Sequence, residues 1–278
     1  MQPSPQHRVS VSETWVKLYK QGWRSLLGIA VLAIAPLLFA QSTVDTPSNV
    51  AEQFLLAAAN QDRVARGLKP LRHDPILARA ALAHAREMAA HRGISHRFPG
   101  ELQLSARGAT AGARFSLITE NVAQAPISAM IHDLWMGSKG HRENILDPNV
   151  DTVGIAVVVR DHEYYAVEDF ANNVMPLTVD AQETAVSDLV AKSGMKIANG
   201  TVMSEQDARQ TCSMNSGYAG SSTPWYIMRY TAHDVTELPA QLLSRLNSGR
   251  YRKAVVSACS EKNAGPFTAY NIAVLLYP

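Results

Sequence analysis

The sequence is short of cysteine: 278 residues contain two, Cys212 and Cys259, both in the last third. That excludes a disulfide-rich framework, and in an exported chain the pair is expected to form a single bridge. Charge of one sign is also missing. The formal net charge is +2, and removing residues 1–40, with four basic side chains and one acidic, leaves 22 basic against 23 acidic. A nearly neutral body gives no electrostatic footing for nucleic-acid binding, so none is expected. There is no internal repeat or low-complexity tract. The last hundred residues hold no phosphate loop, metal-ligand cluster or nucleophile motif. The longest apolar run, Ser25 to Ala40, has 16 residues and contains Pro36. A bilayer-spanning helix needs about 20. With Arg8, Lys17, Lys20 and Arg24 ahead of it, residues 1–40 read as a signal peptide cleaved after Ala40, or else as a signal anchor held by residues 25–40. Either way this segment engages the membrane during export, and the body is expected in the periplasm or secreted.

What is present is a globular composition, 46% hydrophobic and 18% charged. Residues 41–49 form a polar linker, 50–175 a first domain and 180–278 a second module. In the first domain a helix is expected from Val50 to Arg66, capped by Ser48 or Asn49 and ended by Gly67. A second helix opens at Asp74-Pro75, with Asp as cap and Pro in the first turn, and stops at Gly93. Residues 94–117 read as loop. A third helix starts at Pro126 and ends at Gly137. Thr152–Arg160 and Tyr164–Phe170 read as a hairpin pair. Helices first and strands late favour an α+β class with helices covering an antiparallel sheet. In the second module, helices are expected at 182–192, after Ser204 and at 239–247, with strands at 224–231, 251–258 and 267–277, giving a small α/β unit. The aromatic run from Trp225 to Tyr230 reads as a packed strand.

Three strings carry the functional signal: Ile94-Ser95-His96-Arg97, then Thr119-Glu120-Asn121-Val122-Ala123, then Trp135-x-x-Ser138-x-Gly140-His141-Arg142-x-Asn144-Ile145-Leu146. Asn60-x-x-Arg63-x-x-x-Gly67-Leu68-x-Pro70-Leu71-x-x-Asp74, Ala80-x-x-x-His84-Ala85-x-x-Met88, Val153-Gly154-Ile155 and Tyr164–Phe170 accompany them in order. Together, over about 120 residues, they resemble the bacterial branch of the CAP superfamily (cysteine-rich secretory, antigen 5, pathogenesis-related-1). The resemblance implies an α-β-α sandwich with an antiparallel sheet. It also implies a cleft in which His96 and His141 face each other with Glu120 between them. Two imidazoles and a carboxylate are donors Zn²⁺ accepts, so His96, His141 and Glu120 are the candidate metal ligands. Many eukaryotic relatives carry a second glutamate where this chain has Ser138, which makes a tight zinc site less expected here.

Three readings follow. The first is an extracytoplasmic binding module whose cleft of His96, Glu120, Ser138 and His141 takes a lipid, an amphipathic or cell-envelope ligand, or a protein partner, with no cofactor required. The second is a zinc-dependent hydrolase or peptidase with His96, Glu120 and His141 as catalytic candidates. The third is an envelope adaptor working through residues 180–278. The other histidines read as structural: His84 as buried and satisfied, His91, His132 and His162 as surface residues. Glu168 is expected to be structural or to line the rim, Asn121 to fix backbone, and Trp135 to lie in the core.

Overall fold

The structure, a computed structural model, describes residues 49–260 and 265–278; the export segment expected over 1–40, and the linker up to residue 48, lie outside them. Helix α1 (Val50–Ala65) begins at Asn49, whose Oδ1 accepts from the Glu52 N–H while the Glu52 carboxylate accepts from the Asn49 N–H, a complete capping box. A two-residue strand β1 (Arg72–His73) leads to α2 (Pro75–His91), where Asp74 accepts from the N–H groups of Ile76 and Leu77 and Pro75 occupies the first turn. Arg92, not Gly93, takes the left-handed position that ends α2, at φ 53°. The stretch expected as loop instead folds a helix, α3 (Leu104–Ala111), then a long strand, β2 (Phe115–Ala125). The third expected helix starts two residues late, as α4 (Ser128–Gly137), and a separate short helix α5 (Lys139–Ile145) carries the Gly140-His141 string. The hairpin is β3 (Thr152–Arg160) and β4 (Glu163–Asn173).

These strands form one sheet in the order β1-β3-β4-β2. The three long strands are antiparallel, and β1 adds a short parallel edge beside β3. Side chains alternate between faces along a strand. Val122, Ala156, Tyr165 and Val167 pack under Ala81, Ala85, Met88 and Ala89 of α2. Ala123, Ala125, Ile155, Ala166 and Phe170 pack under Leu55 and Ala59 of α1, Ile131 and Trp135 of α4, and Ile145 of α5. The result is the expected α-β-α sandwich, with β2 as the second edge. That edge is covered: Trp135 Nε1 donates to the Val122 carbonyl and Asn144 Nδ2 to the Glu120 carbonyl, which blunts an otherwise open ladder. His132, expected at the surface, is buried instead. Its place beside Ile131 on α4 turns it toward α1, where its Nε2 meets Asp62 Oδ2 at 2.8 Å.

The remainder builds a second four-stranded sheet, β5 (Lys196–Ile197), β7 (Lys253–Cys259), β8 (Tyr270–Tyr277) and β6 (Tyr226–Ala232), in that order. Helices α6 (Val179–Lys192) and α8 (Ala240–Leu246) bury Val186, Val190, Leu242 and Leu246 on one face. Helix α7 (Glu205–Ser213) buries Ala208 and Cys212 on the other. The Cys212–Cys259 disulfide ties α7 to β7 with a Cα–Cα distance of 5.9 Å. Among the described residues no helix is long and apolar enough to cross a membrane.

Gly154 sets how closely α2 lies on the sheet. A Cβ there would sit 2.2 Å from the Leu77 carbonyl carbon and 2.3 Å from the Ala78 nitrogen. These are backbone atoms that no rotamer change can move. Gly154→Ala is therefore expected to destabilise the protein by at least about 2 kcal/mol, the upper range for overpacking. Chemical denaturation of the purified variant measures this directly.

Candidate functional site

The site straddles the β2 edge. Glu120 and Asn121 are consecutive on β2 and point to opposite faces, Glu120 toward α2 and α3, Asn121 toward α5. On the first side Glu120 is nearly inaccessible, its side chain 2% exposed. Its Oε1 faces His96 Nδ1 at 2.9 Å, and its Oε2 takes a charge-assisted hydrogen bond from Arg107 Nη2. His96 itself is 61% exposed, so the imidazole stands at the surface with a buried carboxylate behind it. The Glu120 hydrogen bond holds the His96 pKa above its ordinary value, against the opposing effects of partial burial and of Arg107.

The chain around His96 is held from below. His84, wholly buried as expected, touches the Ser95 carbonyl with Nε2 at 2.7 Å and Glu101 Oε1 with Nδ1 at 2.6 Å. Arg107 Nη1 donates to the His96 carbonyl at 3.1 Å and lies 3.7 Å from Glu101 Oε1. Arg107 and Glu101 belong to the stretch expected as loop, and neither stood out in the sequence. The available signal was Arg107 within Leu104–Ala111, a helix-length stretch of otherwise small and apolar residues. A charge placed there is buried and requires a partner.

On the second side Asn121 acts through the backbone, as expected: its Nδ2 donates to the His141 carbonyl at 3.1 Å and its Oδ1 accepts from Asn144 at 2.9 Å. The His141 ring is half-buried. Burial first, and the charge of His96 second, hold its pKa below the ordinary value. The two histidines therefore shift in opposite directions, His96 toward higher and His141 toward lower proton affinity. Ser138 sits at the joint between α4 and α5 as the residue before α5, and its side chain makes no capping hydrogen bond.

Beneath both sides lies β4. Asp169 pairs in register with Glu120, and Glu168 with Asn121. Both acids are fully buried, and their oxygens lack hydrogen-bond partners among the described residues. Glu168, expected as structural or rim-lining, is thus a core residue and not on the rim. Burial pushes its carboxyl up to about 8. Burial and then the Glu120 carboxylate push Asp169 up as well.

Zinc does not suit these donors. Among the described residues no three His, Cys, Asp or Glu side chains gather as a cation site. Both oxygens of Glu120 are already engaged, Oε1 by His96 and Oε2 by Arg107.

Burial that raises an acid's pKa makes the fold weaker as pH rises. Between about 4.5 and about 8 the unfolded chain has released the Glu168 proton while the folded chain keeps it, so stability falls across that window. Glu168→Gln removes this slope. It is expected to raise the melting temperature at pH 8 by about 5 °C, roughly 2 kcal/mol in a chain of this size, and to change it little at pH 4.5. Thermal unfolding at the two pH values checks it.

Comparison with known proteins gives this geometry a family. Residues 56–170 match the Cysteine-rich secretory protein family, CAP. The uncharacterized protein YkwD of Bacillus subtilis is 30% identical over 120 residues, 42% of this chain and 47% of that protein. The chain thus spans about half the length of this curated relative. Among solved structures, an extracellular protein containing a SCP domain from Bacillus anthracis is 28% identical, with 44% of this chain and 40% of that one covered and a TM-score of 0.39. An outer surface protein from Borrelia burgdorferi is 20% identical, with 46% of this chain and 96% of that one covered and a TM-score of 0.43. Over residues 56–170 the chain thus carries a domain similar to the CAP domain of bacterial relatives.

Proposed function

We propose that this chain is an exported ligand-binding protein, and that His96 and His141 hold an acidic group, a carboxylate or phosphate, of a cell-envelope component. The observation that carries the reading is the exposed His96 imidazole braced by a buried carboxylate. Such a ring takes up a proton more readily than a free imidazole, and the ring of His141 supplies a second hydrogen-bonding group. A cation from one histidine and a neutral donor from the other suit an anion better than they suit a metal. Export is supported by the disulfide, which persists in oxidising compartments, and by the apolar run at residues 25–40.

The His96 cation is present below its raised pKa and is lost above it. Binding to an anionic surface is therefore expected to be strong at pH 6 and to weaken as pH rises toward 8.5. Sedimentation with phosphatidylglycerol vesicles and with isolated peptidoglycan distinguishes the two anion sources, with phosphatidylcholine vesicles as the neutral control. His96→Ala is expected to reduce binding about tenfold, the loss of one charge-assisted contact. Equal binding by the variant, or equal retention at both pH values, overturns the reading.

A further inference from the structure

One end of the second sheet gathers cations that have no counter-charge. Lys196 of β5 pairs in register with Lys253 of β7, Lys253 with Tyr277 of β8, and Leu276 with Tyr226 of β6. Neighbouring strands lie about 4.8 Å apart, so this row is about 14 Å wide. Only residues 193–195 separate Lys192, the last residue of α6, from β5. Arg245, in the last turn of α8, lies 5.1 Å from the centre of the Tyr226 ring. Arg250 and Arg252 belong to the chain entering β7, where the Arg252 N–H donates to the Tyr277 carbonyl and the Arg252 carbonyl accepts from the Lys196 N–H. These six cationic residues are exposed. Among the described residues the ion pairs of this module belong to Arg209, with Asp180 and Glu183 toward the other end of α6. Composition explains the imbalance: residues 189–204, 215–232 and 238–260, which build the basic end, hold no aspartate, glutamate or histidine. Asp188 lies one turn before Lys192 and makes no ion pair with it, and a carboxylate at Pro278 would offset one charge of the six. Beside the cations stands Trp225, 60% exposed although its backbone N–H donates to the Leu276 carbonyl. The first domain meets the opposite end of β8, where the Thr268 N–H donates to the Phe115 carbonyl.

We infer that this end of the module docks on a membrane surface of anionic lipids, with its cations over the phosphates and Trp225 at the headgroup level. Charge complementarity selects an anionic partner, because each Lys or Arg close to such a surface strengthens binding about fivefold. Trp225 selects a membrane over a linear polyanion: an indole has an apolar body and a polar N–H, and it settles where hydrocarbon meets headgroups. The cations come from the ends of two helices and two strands, so they cover an area rather than a line, which suits a surface. This contact is separate from the His96 cleft. Lysine and arginine keep their charge from pH 6 to pH 8.5, so the basic end strengthens binding by the same factor at both and leaves the His96 comparison intact.

The test is sedimentation with vesicles of three parts phosphatidylcholine to one of phosphatidylglycerol at pH 8.5, where His96 contributes least. The chain from Gln41 onward is used; it holds every described residue, and the apolar run at 25–40 then cannot insert by itself. Retention is expected at low salt, with release at about 0.5 M salt, where screening is short-ranged, and none on pure phosphatidylcholine. The double variant Arg252→Glu, Lys253→Glu is expected to weaken binding at least about 25-fold, the loss of two such contacts. Thermal unfolding confirms its fold, and a variant that does not fold is replaced by Lys196→Gln with Arg252→Gln. His96→Ala is expected to bind as wild type does at pH 8.5, which separates this contact from the cleft. Vesicles are expected to shift the tryptophan emission to the blue, and Trp225→Phe to lose that shift. Four results overturn the inference: no retention at low salt, unchanged retention of the folded double variant, retention without the Trp225 shift, or binding to polyphosphate beads with none to vesicles.

Discussion

The Arg107–Glu120 ion pair is the contact on which the site depends. Glu120 projects from the middle of an edge strand into the layer under α2, where an unpaired carboxylate would be costly. Arg107 meets that need from α3, and the same guanidinium reaches back to the His96 carbonyl, so one cation fixes both the carboxylate and the chain carrying the imidazole. Glu101 and His84 complete the ring from α2 and the turn beyond it. A buried pair of this kind adds little net stability, since desolvation consumes most of the attraction. What it provides is position: with Glu120 held, His96 can stand at the surface and still be oriented.

The sheet explains why the two histidines behave differently. Consecutive residues on β2 face opposite layers, and so do their partners on β4. One side of the edge is therefore an ionic network of Glu120, Arg107 and Glu101 over the buried carboxyl of Asp169, and the other an amide network of Asn121 and Asn144. His96 arrives over the charged side and gains proton affinity from it. His141 arrives over the amide side, held only through its backbone, and loses proton affinity to burial. A single strand thus moves the proton affinities of two chemically identical rings in opposite directions.

Much of this was legible in the sequence. Asp74-Pro75, the β-branched run of β3 and the hairpin after it announced themselves through local chemistry, and the strings around His96 and Glu120 hold the pair that meets at 2.9 Å. The missed parts are those fixed by tertiary contact. Phe115–Ala125 lacks clean alternation because Glu120 and Asn121 are buried on both faces, so no period-2 pattern reveals the strand. Helix α3 is eight residues with Gly108 inside it, beyond what propensity can signal, and it is held by Arg107 below. Arg63 is a similar case. It stood only as one letter of a family string, yet it is buried and donates to the carbonyls of Lys69, Ile145, Asp147 and Val150, closing the loop after α5. Long-range partners of a buried cation have no sequence signature.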